Sequence, residues 1–306
     1  MNERAPILTT MMNDTRPIPT ITKADVLYIG YPKAASVFVG RFLENHPEVT
    51  TDAHRLSQLL HPGIPATTDK PSPNKVHVSR DESVAESICI IGELENWQRY
   101  LYVPGGWDSV KNDIVVSPWE AAARLHKVHP RAKVLLLIRE QADWLQSVYK
   151  YVISQLPWDR RSFADYCSTP SGIVHLNAGH FDQTIAAYID AFGSDRVRVL
   201  RFEHIVDAPR QFTAALCSFI GVSERPIPQK RENESHAQIA HILRFLPIIE
   251  GLPKGVKTAL QPYAERLLPG RRANILSSRD IRMLRGIYAA SNQRTERLIS
   301  QLSKNP

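Results

Sequence analysis

The sequence predicts an α/β fold, a three-layer sandwich with a central mainly parallel sheet and a P-loop-like phosphate-binding turn. Three observations predict it. Short apolar runs recur along the 306 residues, each the length of a buried strand. Amphipathic segments of helical period follow most of them, which is the alternation of a parallel sheet. The first run passes through a tight turn of small residues directly into a helix, an arrangement that gathers phosphate-binding N–H groups.

The apolar runs are VLYIGY (26–31), SICIIGE (87–93), KVLLLIR (133–139) and RVRVLRF (196–202). Helices are expected over 36–45, with Val39, Phe42 and Leu43 on one face, and over 117–129. In the second, Ser117 can cap and Pro118 suits the first helical position. Further helices are expected over 143–155 (Trp144, Val148, Tyr151), 182–192 (Ile185, Tyr188, Ile189, Phe192) and 210–220 (Phe212, Leu216, Phe219). A long terminal helix is expected over 279–302, with Ile281, Leu284, Ile287, Tyr288 and Leu298 inward and Arg282, Arg285 and Arg297 outward. Residues 61–74, rich in Pro and Thr, read as a loop, and 222–274 as irregular segments around short helices. Residues 1–22 read as a flexible lead-in and 23–306 as a single domain.

Composition narrows the function classes. A hydrophobic content of 43% with 23% charged residues is that of an ordinary globular chain, and no apolar run is long enough to span a bilayer. The polar N-terminus has no apolar signal core. Three widely spaced cysteines (Cys89, Cys167, Cys217) exclude a disulfide framework and a CxxC metal site, and no other metal cluster is evident. A cytoplasmic location is expected. The net charge of +7 resides in residues 251–306, where 11 Lys and Arg face 3 Asp and Glu, 11 − 3 = +8. Such a field attracts anions, but no nucleic-acid motif accompanies it, so neither a nucleic-acid nor a membrane partner is expected. The oligomeric state stays open, a homodimer among the options.

The chemistry centres on YPKAAS. Unsatisfied N–H groups at a helix N-terminus and the positive end of its dipole favour an anion. Lys33 adds a full charge, Ser36 a hydroxyl, and Ala34 and Ala35 leave room for a phosphate to approach. The GxxxxGK[ST] loop of metal-dependent NTPases is absent. A second piece is IREQADWLQS. Arg139 closes a strongly apolar strand, and Ser147 follows eight residues later, inside the next helix. In parallel sheets ligands bind outside the carboxyl ends of the strands, so Lys33 and Arg139 are expected to face one crevice. Arginine suits bidentate phosphate binding, with a serine hydroxyl beside it.

Together these motifs resemble the sulfotransferase superfamily that uses 3′-phosphoadenosine 5′-phosphosulfate (PAPS). YPKAAS is similar to its PKxGTT-like loop, and IREQADWLQS to its strand ending in Arg with Ser eight residues on. FLENHPEV and VRVLRFEHIVDAPRQFTAALCSFIGV extend the likeness over roughly residues 25–222. The resemblance implies that Lys33 contacts the bridging oxygen that leaves with the 5′-phosphate, and that Ala34, Ala35 and Ser36 donate to that phosphate. It implies that Arg139 and Ser147 hold the 3′-phosphate. Ala35 stands where the family favours glycine, and an alanine there predicts a backbone without positive φ. Val37 stands where a second hydroxyl is usual and removes one donor.

The family needs no metal and removes the acceptor's proton with a His or a Glu. His54, just after HPEV, and Glu93, at the end of SICIIGE, are the candidates, with His77 a third that also reads as a strand or loop residue. His46 reads as structural, near a helix end. Lys230 and Arg231, in QKRENES, stand where relatives close a loop over the 3′-phosphate; the family's RKG triplet is absent, and a solvated loop fits equally. The implied reaction is in-line transfer of a sulfuryl group to a hydroxyl or amine of a small molecule or glycan. The alternatives are a metal-dependent nucleotide or small-molecule kinase and a non-catalytic nucleotide-binding relative. Acceptor specificity is expected in 61–75, 97–107 and 233–272, where Trp97, Tyr100, Tyr102 and Trp107 either stack on a ring or belong to the core.

Overall fold

A computed structural model describes residues 20–53, 56, 67–69, 74–80, 117–155, 162–226 and 276–304. The elements are β1 (Thr20–Thr22), β2 (Val26–Gly30), α1 (Ser36–Glu44), β3 (Val49–Ala53), β4 (Thr67–Asp69) and β5 (Val76–Arg80). There follow α2 (Pro118–Val128), β6 (Lys133–Ile138), α3 (Gln141–Gln155), α4 (Phe163–Cys167), α5 (Pro170–Ala178) and α6 (Phe181–Phe192). A 3-10 turn (Ser194–Arg196) leads to β7 (Val197–Arg201), α7 (Phe202–Asp207) and α8 (Pro209–Ile220), and α9 (Ser278–Leu302) closes the described chain.

The main sheet runs β3-β5-β2-β6-β7, and every pairing in it is parallel. β2 and β6 lie at its centre. All five residues of β2 are buried, and in β6 every residue after Lys133 is buried. That is why both read as unbroken apolar runs: a central strand with helices over both faces has no polar side. From β2 the chain passes through α1 to β3 at one edge, whereas from β6 it passes to β7 at the other. The connections part company between β2 and β6, and their carboxyl ends open the crevice of a doubly wound sheet.

β3 falls where no strand is expected and β5 where His77 reads as a strand or loop residue, and the expected strand 87–93 lies outside the described residues. The segment VTTDA is too polar to announce itself, and VHVSR is short. A second, two-stranded parallel sheet pairs β1, within the expected lead-in, with β4, within the expected loop. The six expected helices start and end within two residues of expectation, whereas α4, α5 and α7 fall where no helix is expected. Ser117 accepts the Glu120 N–H at 3.1 Å and Pro118 opens α2, as the capping pattern predicts. α6 packs on β6, β7, α2 and α9. α1 packs on β3 and α8 on β7, and His46 at the end of α1 bonds the Ser223 carbonyl beyond α8 at 3.0 Å. Cys217 is in the core and Cys167 is half-buried. No described helix is long and apolar enough to cross a membrane.

Two buried histidines tie this core to pH. Before β2, the Ala24 N–H donates to His129 Nδ1 at 3.1 Å, so that nitrogen must stay unprotonated. Burial pushes the His129 pKa down to about 4, against the opposing pull of Asp52. His175, bonded to the Tyr166 hydroxyl, is likewise pushed down to about 4 by burial. Both folded values lie below the unfolded value of 6.5, so the unfolded chain binds more protons between them. Stability is therefore complete above pH 6.5 and is lost as pH falls toward 4, by on the order of 2–3 kcal/mol per histidine at most. The expected result is a melting temperature that falls steadily from pH 6.5 to 5, where most carboxylates still stay charged. A flat profile over that window would contradict it.

Candidate active site

The turn after β2 is fastened from three sides. Tyr31 is fully buried, and its N–H extends the β2–β6 ladder to the Leu137 carbonyl at 3.1 Å. Its hydroxyl hydrogen-bonds with Thr184 of α6 at 2.9 Å, and its ring packs on Phe181 and edge-on against Trp144. Trp144, buried in the first turn of α3, donates its indole N–H to the Pro32 carbonyl at 2.8 Å. The next carbonyl, that of Lys33, accepts from Arg139 Nη1 at 3.2 Å.

Between these fastenings the backbone is strained. Lys33 has φ 63° and Ala35 φ 65°, both in the left-handed region. The expectation of a non-positive φ at Ala35 is overturned. The chain must pass from strand to helix within five residues, and the left-handed geometry at the N-cap achieves that reversal even at a cost of roughly 1–2 kcal/mol for a non-glycine residue. Replacing Ala35 by glycine removes that clash while adding freedom to the unfolded chain. The expected net result is stabilisation by about 1 kcal/mol or less, read as a higher melting temperature, with the anion site intact. A destabilised Ala35→Gly protein would show that the surroundings relieve the strain.

The end of α1 is open. Its N-cap, Ala35, supplies no side-chain cap, and the first turn carries no acidic residue. The Ala34 N–H is already committed to the Tyr31 carbonyl at 3.1 Å. The N–H groups of Ser36, Val37 and Phe38, at the first three helical positions, have no partner within the helix. They, more than Ala34, are the donors this turn presents. Ala34 and Ser36 are buried, whereas Lys33 is exposed and Val37 is 43% exposed. A positive helix end with no acidic residue in its first turn, beside a lysine, makes a site for an anion.

Arg139 follows β6 directly and is half-buried. Its guanidinium stands 4.5 Å from the centre of the Phe202 ring, at the start of α7, and 3.9 Å from the Asp143 carboxylate. The main chain beside it is held too: the Glu140 N–H donates to Glu203 Oε1 at 2.8 Å, and Glu140 Oε2 accepts the Asp143 N–H at 2.9 Å. Ser147 is half-buried in the second turn of α3. Lys33 and Arg139, 106 residues apart, therefore meet at the carboxyl ends of adjacent strands.

Other candidates fall elsewhere. His54, Glu93, Lys230 and Arg231 lie outside the described residues, as do Trp97, Tyr100, Tyr102 and Trp107. His77 is buried within β5, its ring bonded to the Thr50 hydroxyl at 3.1 Å and 3.4 Å from Asp52, its N–H on Asp25 at 2.8 Å. It belongs to the sheet. Trp144, Tyr31, Phe202 and Glu203 escaped the sequence reading as site residues. Their contacts depend on β2, β6 and β7 being neighbours, and strand order leaves no local signal.

Several solved structures are similar to the chain at low identity. A sulfotransferase from Alicyclobacillus acidocaldarius is 17% identical, with 78% of this chain and 100% of that one covered and a TM-score of 0.47. A sulfotransferase domain from the curacin biosynthetic pathway is 12% identical over 92% of this chain and 98% of its own, with a TM-score of 0.45. The mouse sulfotransferase SULT7A1, solved with adenosine 3′,5′-bisphosphate (PAP), is 9% identical over 93% and 89%, with a TM-score of 0.42. No curated protein matches the sequence. The family model described as "Sulfotransferase family" matches residues 25–226, a stretch that runs from the start of β2 past the end of α8 and contains both the turn and Arg139, and the chain belongs to that family.

Proposed function

We propose that the protein transfers a sulfuryl group from PAPS to a hydroxyl or amine of a small molecule or glycan. The observation that carries this reading is the contact of Arg139 with the Lys33 carbonyl beside the open end of α1. It supports a reading in which two anion subsites lie side by side at the switch point of the sheet, as a donor with two separate phosphates requires.

In this reading the 5′-phosphosulfate lies over the N–H groups of Ser36, Val37 and Phe38, and the 3′-phosphate meets Arg139 and Ser147. The acceptor oxygen or nitrogen forms its bond to sulfur as the bond from sulfur to the bridging oxygen breaks. Lys33 neutralises the charge that grows on the departing 5′-phosphate. The acceptor's proton passes to His54 or Glu93, the two bases the family resemblance offers. As in phosphoryl transfer, positioning and charge stabilisation account for most of the rate. Three cysteines without a disulfide framework suit a reducing, cytoplasmic setting.

Thermal stabilisation by PAP tests the reading. With EDTA present, a concentration 100-fold above Kd adds about 2.7 kcal/mol to the folded state, a shift of several degrees. A shift that instead requires ATP and Mg²⁺ would favour a kinase. No shift with either ligand would overturn the donor assignment.

A further inference from the structure

The family match ends at residue 226, and α9 lies wholly beyond it. Its apolar face docks through Leu284, Tyr288 and Leu302. Its polar residues nevertheless reach three segments that carry the site. Asn292 Oδ1 accepts from Gln141 Nε2 at 2.5 Å, and Gln141 is a buried residue two positions after Arg139. Glu296 pairs with Arg201, the last residue of β7, which directly precedes the Phe202 ring beside Arg139. Ser291 and Arg294 both donate to Asp182, buried in the first turn of α6 between Phe181 and Gln183. Phe181 and Thr184 of that turn are the residues that hold Tyr31.

We propose that α9 is a positioning element for the donor's 3′-phosphate subsite, with Asn292 bracing the start of α3 just after Arg139 and Glu296 bracing the end of β7 just before the Phe202 ring that Arg139 packs on. The inference rests on the donor reading above. Asn292 and Glu296 are one helical turn apart, so they project from one side of α9. Their partners are Gln141, the first residue of α3, and Arg201, the last residue of β7. α9 thus contacts the residue two positions after Arg139 and the residue just before Phe202, whose ring lies beside the guanidinium. Apolar contacts alone would hold the helix in place, whereas burying Asp182 and Gln141 costs desolvation that only well-aligned partners offset. Such contacts fix register, and bidentate phosphate recognition is sensitive to register.

The test is calorimetric titration of the full chain with PAP and with 5′-AMP, which lacks the 3′-phosphate. Asn292→Ala is expected to weaken PAP binding about fivefold, the worth of roughly one hydrogen bond, and to leave 5′-AMP binding unchanged. Asn292→Asp keeps an acceptor oxygen for Gln141 and is expected to restore PAP affinity. Glu296→Lys, at an exposed position that folding tolerates, repels Arg201 and is expected to weaken PAP by about threefold. Arg282→Ala, on the outer face of α9, is expected to match the wild type. The proposal is overturned if Asn292→Ala and Glu296→Lys bind PAP as the wild type does, if Asn292→Asp fails to rescue, or if PAP and 5′-AMP affinities fall in equal proportion. A wild-type protein that does not bind PAP would instead remove the donor reading itself.

Discussion

Lys33→Ala is expected to reduce sulfuryl transfer by about 10²- to 10³-fold while the protein melts at the wild-type temperature. The two halves of that expectation have separate causes. Lys33 is exposed and packs no core, so its side chain adds little to folding. Its backbone, in contrast, is fixed by the Arg139 contact to its carbonyl, which alanine retains. The charge matters most where negative charge grows on the leaving phosphate, which makes it a transition-state contact more than a ground-state one. PAP affinity should accordingly fall by no more than about tenfold. The measurement is release of PAP from saturating PAPS, with a phenol or alcohol that the wild type accepts. Undiminished turnover would remove Lys33 from the chemistry.

Arg139→Leu is expected to have the largest effect on donor binding. A charge-assisted, partly buried hydrogen bond is worth roughly 1.5–3 kcal/mol, so PAP affinity should fall by about 10- to 150-fold. The affinity for 5′-AMP should change by less than about threefold, since the open end of α1 is untouched apart from one hydrogen bond to the Lys33 carbonyl. Leucine keeps an apolar contact with Phe202, which guards against a loss of folding. Equal losses for both nucleotides would mean that Arg139 serves the turn and not a phosphate.

How much of this was legible in the sequence follows from where each signal lies. β2 and β6 were readable because burial on both faces leaves them uniformly apolar. β3 was not, since Thr50 and Asp52 turn toward the imidazole of His77 and break the apolar pattern. α3 begins at Gln141, earlier than expected, because the Glu140 side chain takes the Asp143 N–H. Glutamate is not among the residues by which a helix start is usually read.

The site divides the same way. Lys33 and Arg139 were legible because each ends a strand that announces itself, and parallel sheets gather such ends. The left-handed backbone at Ala35 was not, because side-chain identity argued for the opposite and tertiary bonds prevailed. Nor was Trp144, which reads as one more inward residue of an amphipathic helix. Its indole N–H finds the Pro32 carbonyl only because β2 and β6 are adjacent.

The central claim is that one crevice holds two phosphates, one on the end of α1 and one on Arg139. It is tested most directly by titrating the wild-type protein, in EDTA, with PAP and with 5′-AMP. The account predicts that PAP binds at least about tenfold more tightly, the contribution of one charge-assisted phosphate contact. Equal affinities for the two nucleotides would contradict it.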